Sequence, residues 1–246
     1  MTRRGVALPE LLVALALGGV VMATALRGVT QHVRWRRDRD AQARAEWAAR
    51  DVLAVLRAEL SHGSGAPVVL GDTALQLSSV RAFDTACDVS AGRPVLASAA
   101  WSAPRAGDSL AVIDSLLRTE WRAAIAAVGV IHASARCPSG GMRITPTAAL
   151  PVPAVPMALP VRVWRVARYV LYRGGDGSWW LGERGCTPIC GAAQPVAGPL
   201  LPPPQGGLRM TMRLDADGRP QAVDVSVRAL VGGRIARLSA RIPVAP

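Results

Sequence analysis

The run from Val6 to Leu26 holds 21 residues and a single charge, Glu10. As a helix it would be about 31 Å long, enough to cross the hydrocarbon core of a bilayer. The lone carboxylate is the informative residue. Inside a membrane segment it costs about 2.5–3.5 kcal/mol, so it marks a function or a partner, and a plain anchor has no need of it. A secretory signal peptide is the competing reading, with Arg3 and Arg4 as its basic start and Ala23-Thr24-Ala25 as its cleavage site. Glu10 within the apolar stretch argues against that reading.

The helical pattern continues beyond the apolar run. Residues 27–60 contain no Pro, and Gly28 is their only Gly. Ala45, Ala49, Val52, Leu56 and Leu60 recur three or four residues apart, which lines one helix face with apolar side chains. Arg44, Arg50, Arg57 and Glu59 fall elsewhere on the helix. Ser61-His62-Gly63-Ser64-Gly65-Ala66-Pro67 ends it. The expectation is one helix over 6–62, membrane-spanning over 6–26 and amphipathic over 27–60, with its apolar stripe on a sheet.

After Pro67 the period becomes two. Leu208, Met210, Met212 and Leu214 alternate with polar neighbours, as do Val223, Val225 and Val227, and then Ala236, Leu238, Ala240 and Ile242. These read as half-buried strands joined by Asp215-Ala216-Asp217-Gly218 and Gly232-Gly233, an antiparallel meander. Residues 161–173 and 179–184 flank Gly174-Gly175-Asp176-Gly177 as another hairpin. Leu75–Val80, Leu110–Ile113 and Val128–Ala133 are further short strands, Trp121 to Val128 fits a helical turn as well, and residues 146–160 and 195–207 read as Pro-rich loops. The fold class is therefore α+β: a long N-terminal helix packed on a β-rich head over 67–246.

The formal charge is +12, carried by Arg without any Lys. Such charge points to nucleic acid or anionic membrane. Because the Arg are scattered along the chain, a codon bias toward GC-rich Arg codons is the preferred explanation, and nucleic acid is a less favoured partner. The four Cys, Cys87, Cys137, Cys186 and Cys190, suggest disulfides and an oxidising compartment. Cys186 with Cys190 and Cys87 with Cys137 is the favoured pairing of the three that four Cys allow. A zinc site from His132, Cys137, Cys186 and Cys190 is the weaker alternative. The three His form no metal motif, Asp215-Ala-Asp217-Gly218 lacks the rest of a calcium loop, and Gly174 to Gly177 is not followed by the Lys of a phosphate loop. No catalytic set of acid, base and nucleophile is assembled, so no enzyme, cofactor or metal is expected.

The start of the chain reads Met-Thr-Arg-Arg-Gly, then Val-Ala-Leu-Pro-Glu-Leu-Leu-Val-Ala-Leu. This resembles the class III signal of type IV prepilins and type II secretion pseudopilins. The resemblance implies cleavage by prepilin peptidase after Gly5, removal of residues 1–5 as a leader, and N-methylation of Val6 as the new N-terminus. Val6 stands where the family more often has Phe or Met. Glu10 becomes the fifth mature residue and an assembly residue, and Pro9, common in the family, sits in the first turn, where a missing N–H costs little. In an apolar setting Glu10 would neutralise the N-terminal ammonium of a neighbouring subunit, a pairing that fixes register. The strings around Tyr169 and Trp180 are similar to the hairpin of W-type minor pilins and J-type minor pseudopilins. The large head then implies an initiating or tip position, with other pilin or pseudopilin subunits and the inner membrane as partners.

Arg3 and Arg4 precede the apolar run, whereas Arg27, Arg34, Arg36, Arg37 and Arg39 follow it. By the positive-inside rule alone the head would stay in the cytoplasm. The pilin-like signal and the Cys place it outside. A second reading is an anchored extracytoplasmic module that binds an anionic polymer such as DNA through its Arg-rich head or the segment Arg34 to Arg39.

Overall fold

The computed structural model describes residues 8–97, 103–114, 119–151, 159–186 and 189–244, with side chains in the helix described from Leu12 onward. One helix, α1 (Leu8–His62), runs for 55 residues, about 82 Å at 1.5 Å per residue. Twelve strands follow: β1 (Ser64–Leu70), β2 (Ala74–Ser90), β3 (Arg93–Leu96), β4 (Ser109–Asp114), β5 (Thr119–Ile131), β6 (Gly141–Pro146), β7 (Leu159–Arg173), β8 (Trp179–Gly185), β9 (Gln194–Leu200), β10 (Leu208–Leu214), β11 (Pro220–Val231) and β12 (Arg234–Pro243). All their pairings are antiparallel.

Two long strands, β2 and β7, pair along nearly their whole length and form the spine of the head. From one half of this spine the hydrogen bonding runs β2–β3–β6–β5–β4–β7 and returns to β2, a closed six-stranded barrel. Closure removes the open edges that a small sheet would otherwise expose. Ala82, Ala86, Leu96, Leu110, Val112, Ile125, Ile144, Val161 and Val163 fill it. The other half of the spine extends through β8, β9 and the β10–β11–β12 meander into an open sheet that carries α1. Leu75, Leu77, Ala167, Tyr169, Leu181, Val223, Val225 and Val227 from this sheet meet Val52, Leu56 and Leu60 of the helix.

A bulge lets β2 serve both cores. The register shifts between Val80 and Ala82, so Leu75, Leu77 and Ser79 are buried before it and Ala82 and Ala86 after it. An extra residue in one strand moves the inward parity from odd to even, keeping the apolar side chains on one face. Without the shift at Arg81, Phe83 and Thr85 would point into the barrel in place of Ala82 and Ala86.

The three-strand meander and the 174–177 hairpin form as the alternation predicts, except that Leu214, expected on the inner face, is 56% exposed beyond a register shift at the end of β10. Other elements differ from expectation. Trp121 to Val128 is part of strand β5, with Trp121 opposite Val112 and Ala123 opposite Leu110, and the helical alternative is excluded. The segment 195–207 is not all loop: residues 195–200 belong to β9, which pairs with β8 and β11. The first strand starts at Ser64, inside the stretch expected to be a terminator.

Candidate functional site: the exposed helix and its seat on the head

From Leu12 to Asp40 every residue of α1 is exposed. Leu12, Leu15, Val20, Val21 and Met22 are each about 60% exposed, although in sequence they form the most apolar stretch of the chain. An added Cβ at Gly18, Gly19 or Gly28 would meet nothing within 4 Å. The polar side chains in this stretch are satisfied within the helix: Thr24 donates to the Val21 carbonyl at 2.8 Å and Thr30 to that of Arg27 at 2.9 Å. A helix that bonds all its own backbone groups and shows apolar side chains on every face is what a lipid medium or a bundle of like helices accepts. It is long and apolar enough to cross a membrane.

Gly5 and Val6 lie outside the described residues. Pro9 and Glu10 fall in the first turn of α1.

A polar collar follows the apolar stretch. Arg27, Arg34, Arg36 and Arg37 are exposed around it. The Arg39 guanidinium lies 4.2 Å from the centre of the Trp35 ring, and His32 stacks obliquely on that ring at 5.9 Å. An amphipathic Trp flanked by Arg suits the boundary between an apolar layer and water.

The seat of the helix begins at Ala41, and residues 27–40 touch no core. Ala41, Ala45, Ala48 and Ala49 give the helix a face without bulk, so the sheet approaches closely before Val52, Leu56 and Leu60 interdigitate with it. Gly232, in the β11–β12 turn with φ +54, lets that turn reach the helix; a Cβ there would stand 3.1 Å from the Ala41 Cβ. Next to the turn, Arg234 pairs with Asp38. Further up, the phenol of Tyr169 is buried under α1, and burial, with the nearby Glu59 carboxylate, pushes its titration well above the ordinary tyrosine range. The turn and the Ala face seat the head on the upper half of the helix, and the half-exposed ion pair at the rim adds little.

The Cys pair as favoured from sequence. Cys87–Cys137 ties β2 to the loop before β6, and Cys186–Cys190 closes the loop after β8. The zinc alternative is thereby excluded for these four Cys. Among the described residues no group of three His, Cys, Asp or Glu could hold a metal ion. Asp215 serves its turn: its Oδ1 accepts the backbone N–H groups of Asp217 and Arg219 at 2.9 and 2.8 Å. Asp176 does the same at the other hairpin, accepting from the Ser178 N–H at 3.0 Å.

Sequence reasoning missed a buried ion pair at the joint between barrel and sheet. Asp108 is 1% exposed. Its two oxygens accept Nε and Nη2 of Arg165 at 2.7 Å each, and the Arg105 backbone N–H at 2.9 Å. Arg81, in the β2 bulge, pairs with Glu183 nearby. No period or motif marks these residues, because the strands that carry them are far apart in the chain.

Comparison with family models, curated proteins and solved structures finds no match to this chain.

Proposed function

We propose that this chain is a minor pilin or pseudopilin: a subunit processed at its N-terminus and assembled, through α1, into a type IV pilus or a type II secretion pseudopilus, at an initiating or tip position. One observation carries the reading. The segment from Leu12 to Leu26 is apolar, exposed on every face, and joins no core among the described residues. Burial of one such Leu or Val side chain is worth about 1.5–3 kcal/mol, so the segment must be covered by lipid, by neighbouring helices, or by each in turn. The resemblance at residues 1–15 supports neighbouring helices as the final cover, with Glu10 pairing with the amine of Val6 on the next subunit.

The two disulfides support a head on the oxidising side of the membrane. They favour an outside location over the count of Arg after the apolar run. The collar at Trp35 would sit at or just beyond the water boundary, and the seat starting at Ala41 would hold the head above it.

Glu10 provides the test. In Glu10→Leu the chain loses the only charge of the membrane segment, so membrane retention should rise or stay equal while filament incorporation falls. The assay is cross-linking and shear release of filaments from cells carrying the variant. Equal incorporation of wild type and Glu10→Leu would refute the assembly role and leave an anchored module.

A further inference from the structure

The strand pairing gathers arginines that the linear sequence scatters. On the outer face of the meander, turned away from α1, Arg228 of β11 stands directly opposite Arg237 of β12. Like charges directly opposite on a sheet are destabilising, so this pairing has a cost that nothing in the fold requires. Arg209 of β10 stands opposite Ser226, in the next row of the same face. Arg209, Arg228 and Arg237 line one cavity of about 160 Å³, together with Gln205, Ser226 and Gly206. None of the residues lining it is acidic.

The rest of this face shows what a neutralised arginine looks like here. Asp224 accepts Arg213 Nε at 2.6 Å and Arg241 Nε at 2.9 Å, so each of its oxygens faces an arginine. Those two hydrogen bonds hold Asp224 below the usual carboxylate range. At the cavity, among the described residues, Arg237 has no carboxylate partner, and Arg228 is held by the Gln205 carbonyl, to which its Nη1 donates at 3.2 Å. Arg209 reaches only Asp72, at 4.0 Å, with both side chains more than half exposed. A contact of that kind contributes little.

We propose that this cavity binds one tetrahedral oxyanion of the phosphate type. Three guanidinium groups, each a fork of N–H donors, offer one anion up to about six hydrogen bonds, more than the roughly four acceptor positions of a carboxylate and within the capacity of a phosphate group. The Gln205 carbonyl pre-orients one of the three, and the anion removes the repulsion between Arg228 and Arg237. The same chemistry is carried by free inorganic phosphate and by the phosphodiester of a nucleic acid. The face has no aromatic residue to stack a base, so any nucleic acid would be held by its backbone alone.

The test uses the full-length chain in nonionic detergent. Sodium phosphate is titrated against sodium chloride at constant ionic strength, followed by calorimetry and by thermal unfolding, and short duplex DNA is titrated in parallel. Phosphate should bind and raise Tm, since a ligand of the folded state stabilises it. Arg228→Gln and Arg237→Gln should each weaken phosphate binding about tenfold, as expected for loss of one charge-assisted contact. Without phosphate their Tm should equal or exceed that of wild type, because the repulsion is gone, and this separates lost binding from lost folding. Arg213→Gln, outside the cavity, should bind phosphate as wild type does. If DNA binds and its logarithmic salt slope falls by about 1 in each cavity variant, an ester on a polymer is the ligand; if only phosphate binds, the free anion is. Either result supports the site. Absence of binding to both probes, or cavity variants that bind as wild type does, overturns it.

Discussion

Replacing Asp108 by Ala should be among the most damaging single changes in the head. The carboxylate is 1% exposed and accepts three hydrogen bonds, two from Arg165 and one from the Arg105 backbone. Arg165 itself has only 13% of its side chain exposed, at the wall of a cavity of about 340 Å³ that Asp108 also lines, so water there replaces the carboxylate only in part. Removing one member of a buried pair leaves the other charged and unpaired, at about 3–5 kcal/mol. For a domain of this size that lowers Tm by about 6–20 °C. The assay is thermal unfolding in detergent, followed by the near-ultraviolet circular dichroism of the Trp residues. Asp108→Leu combined with Arg165→Met removes both charges and should recover most of the loss, since an apolar pair fills the space without desolvating ions. Glu120→Ala is the exposed counterpart: it breaks the pair with Arg122, whose side chain is 64% exposed, and should cost under about 1 kcal/mol. The reasoning fails if Asp108→Ala and Glu120→Ala unfold at the same temperature, or if the double replacement is no better than the single one.

Other expectations follow from the same geometry. Cys87→Ser opens a link between residues 50 apart and should cost about 4 kcal/mol by loop entropy, whereas Cys186→Ser opens one between residues 4 apart and should cost about 2 kcal/mol; urea unfolding of the oxidised chains reads the difference. Tyr169 titrates higher folded than unfolded, so its contribution is complete below the ordinary value of 10.0 and is lost as pH rises above it; Tyr169→Phe should flatten the alkaline loss of stability in a pH series. Asp224 titrates lower folded than unfolded, so its contribution is present above the ordinary value of 3.8 and is lost as pH falls through its depressed folded value. The stability gap between wild type and Asp224→Asn should therefore close in acid. Gly207→Ala would set a Cβ 1.7 Å from the Leu201 carbonyl oxygen, a backbone atom with no room to move, and should abolish folding of the meander as read by protease resistance.

Much of the helix side of the fold is legible in the sequence. The stripe Ala45, Ala49, Val52, Leu56 and Leu60 is buried as its spacing predicts, and the stripe gains Ala41 one turn earlier. The last three strands are legible because each buries one face and turns on Gly-containing links. The barrel is not, for definable reasons. The bulge at Arg81 changes the parity of β2 halfway, so a scan for alternation stops at Val80. Along β5 Thr119, Trp121 and Ala123 are half-buried and Ile125 buried, but alanines at 123, 124, 126 and 127 stand on both faces, so the residue types show no alternation that separates strand from helix. Prolines disguise β9, where Pro195 and Pro199 stand within the strand. The arginine cluster at Arg209, Arg228 and Arg237 was hidden by separation along the chain: a charge count reads them as scattered, and only the register of β10, β11 and β12 brings them together. The seat contact between Asp38 and Arg234 joins residues 196 apart and carries no local signal at all.

Assembly through a processed helix turns on how the chain begins in its native membrane. Mass spectrometry of the N-terminal peptide from membrane-derived protein reads that start. A mature chain starting at Val6 with one added methyl group is expected. A chain starting at Leu26 would mean a secreted protein that has lost the apolar segment, and a start at Met1 or Thr2 would mean a simple anchor; either would contradict assembly through a processed helix.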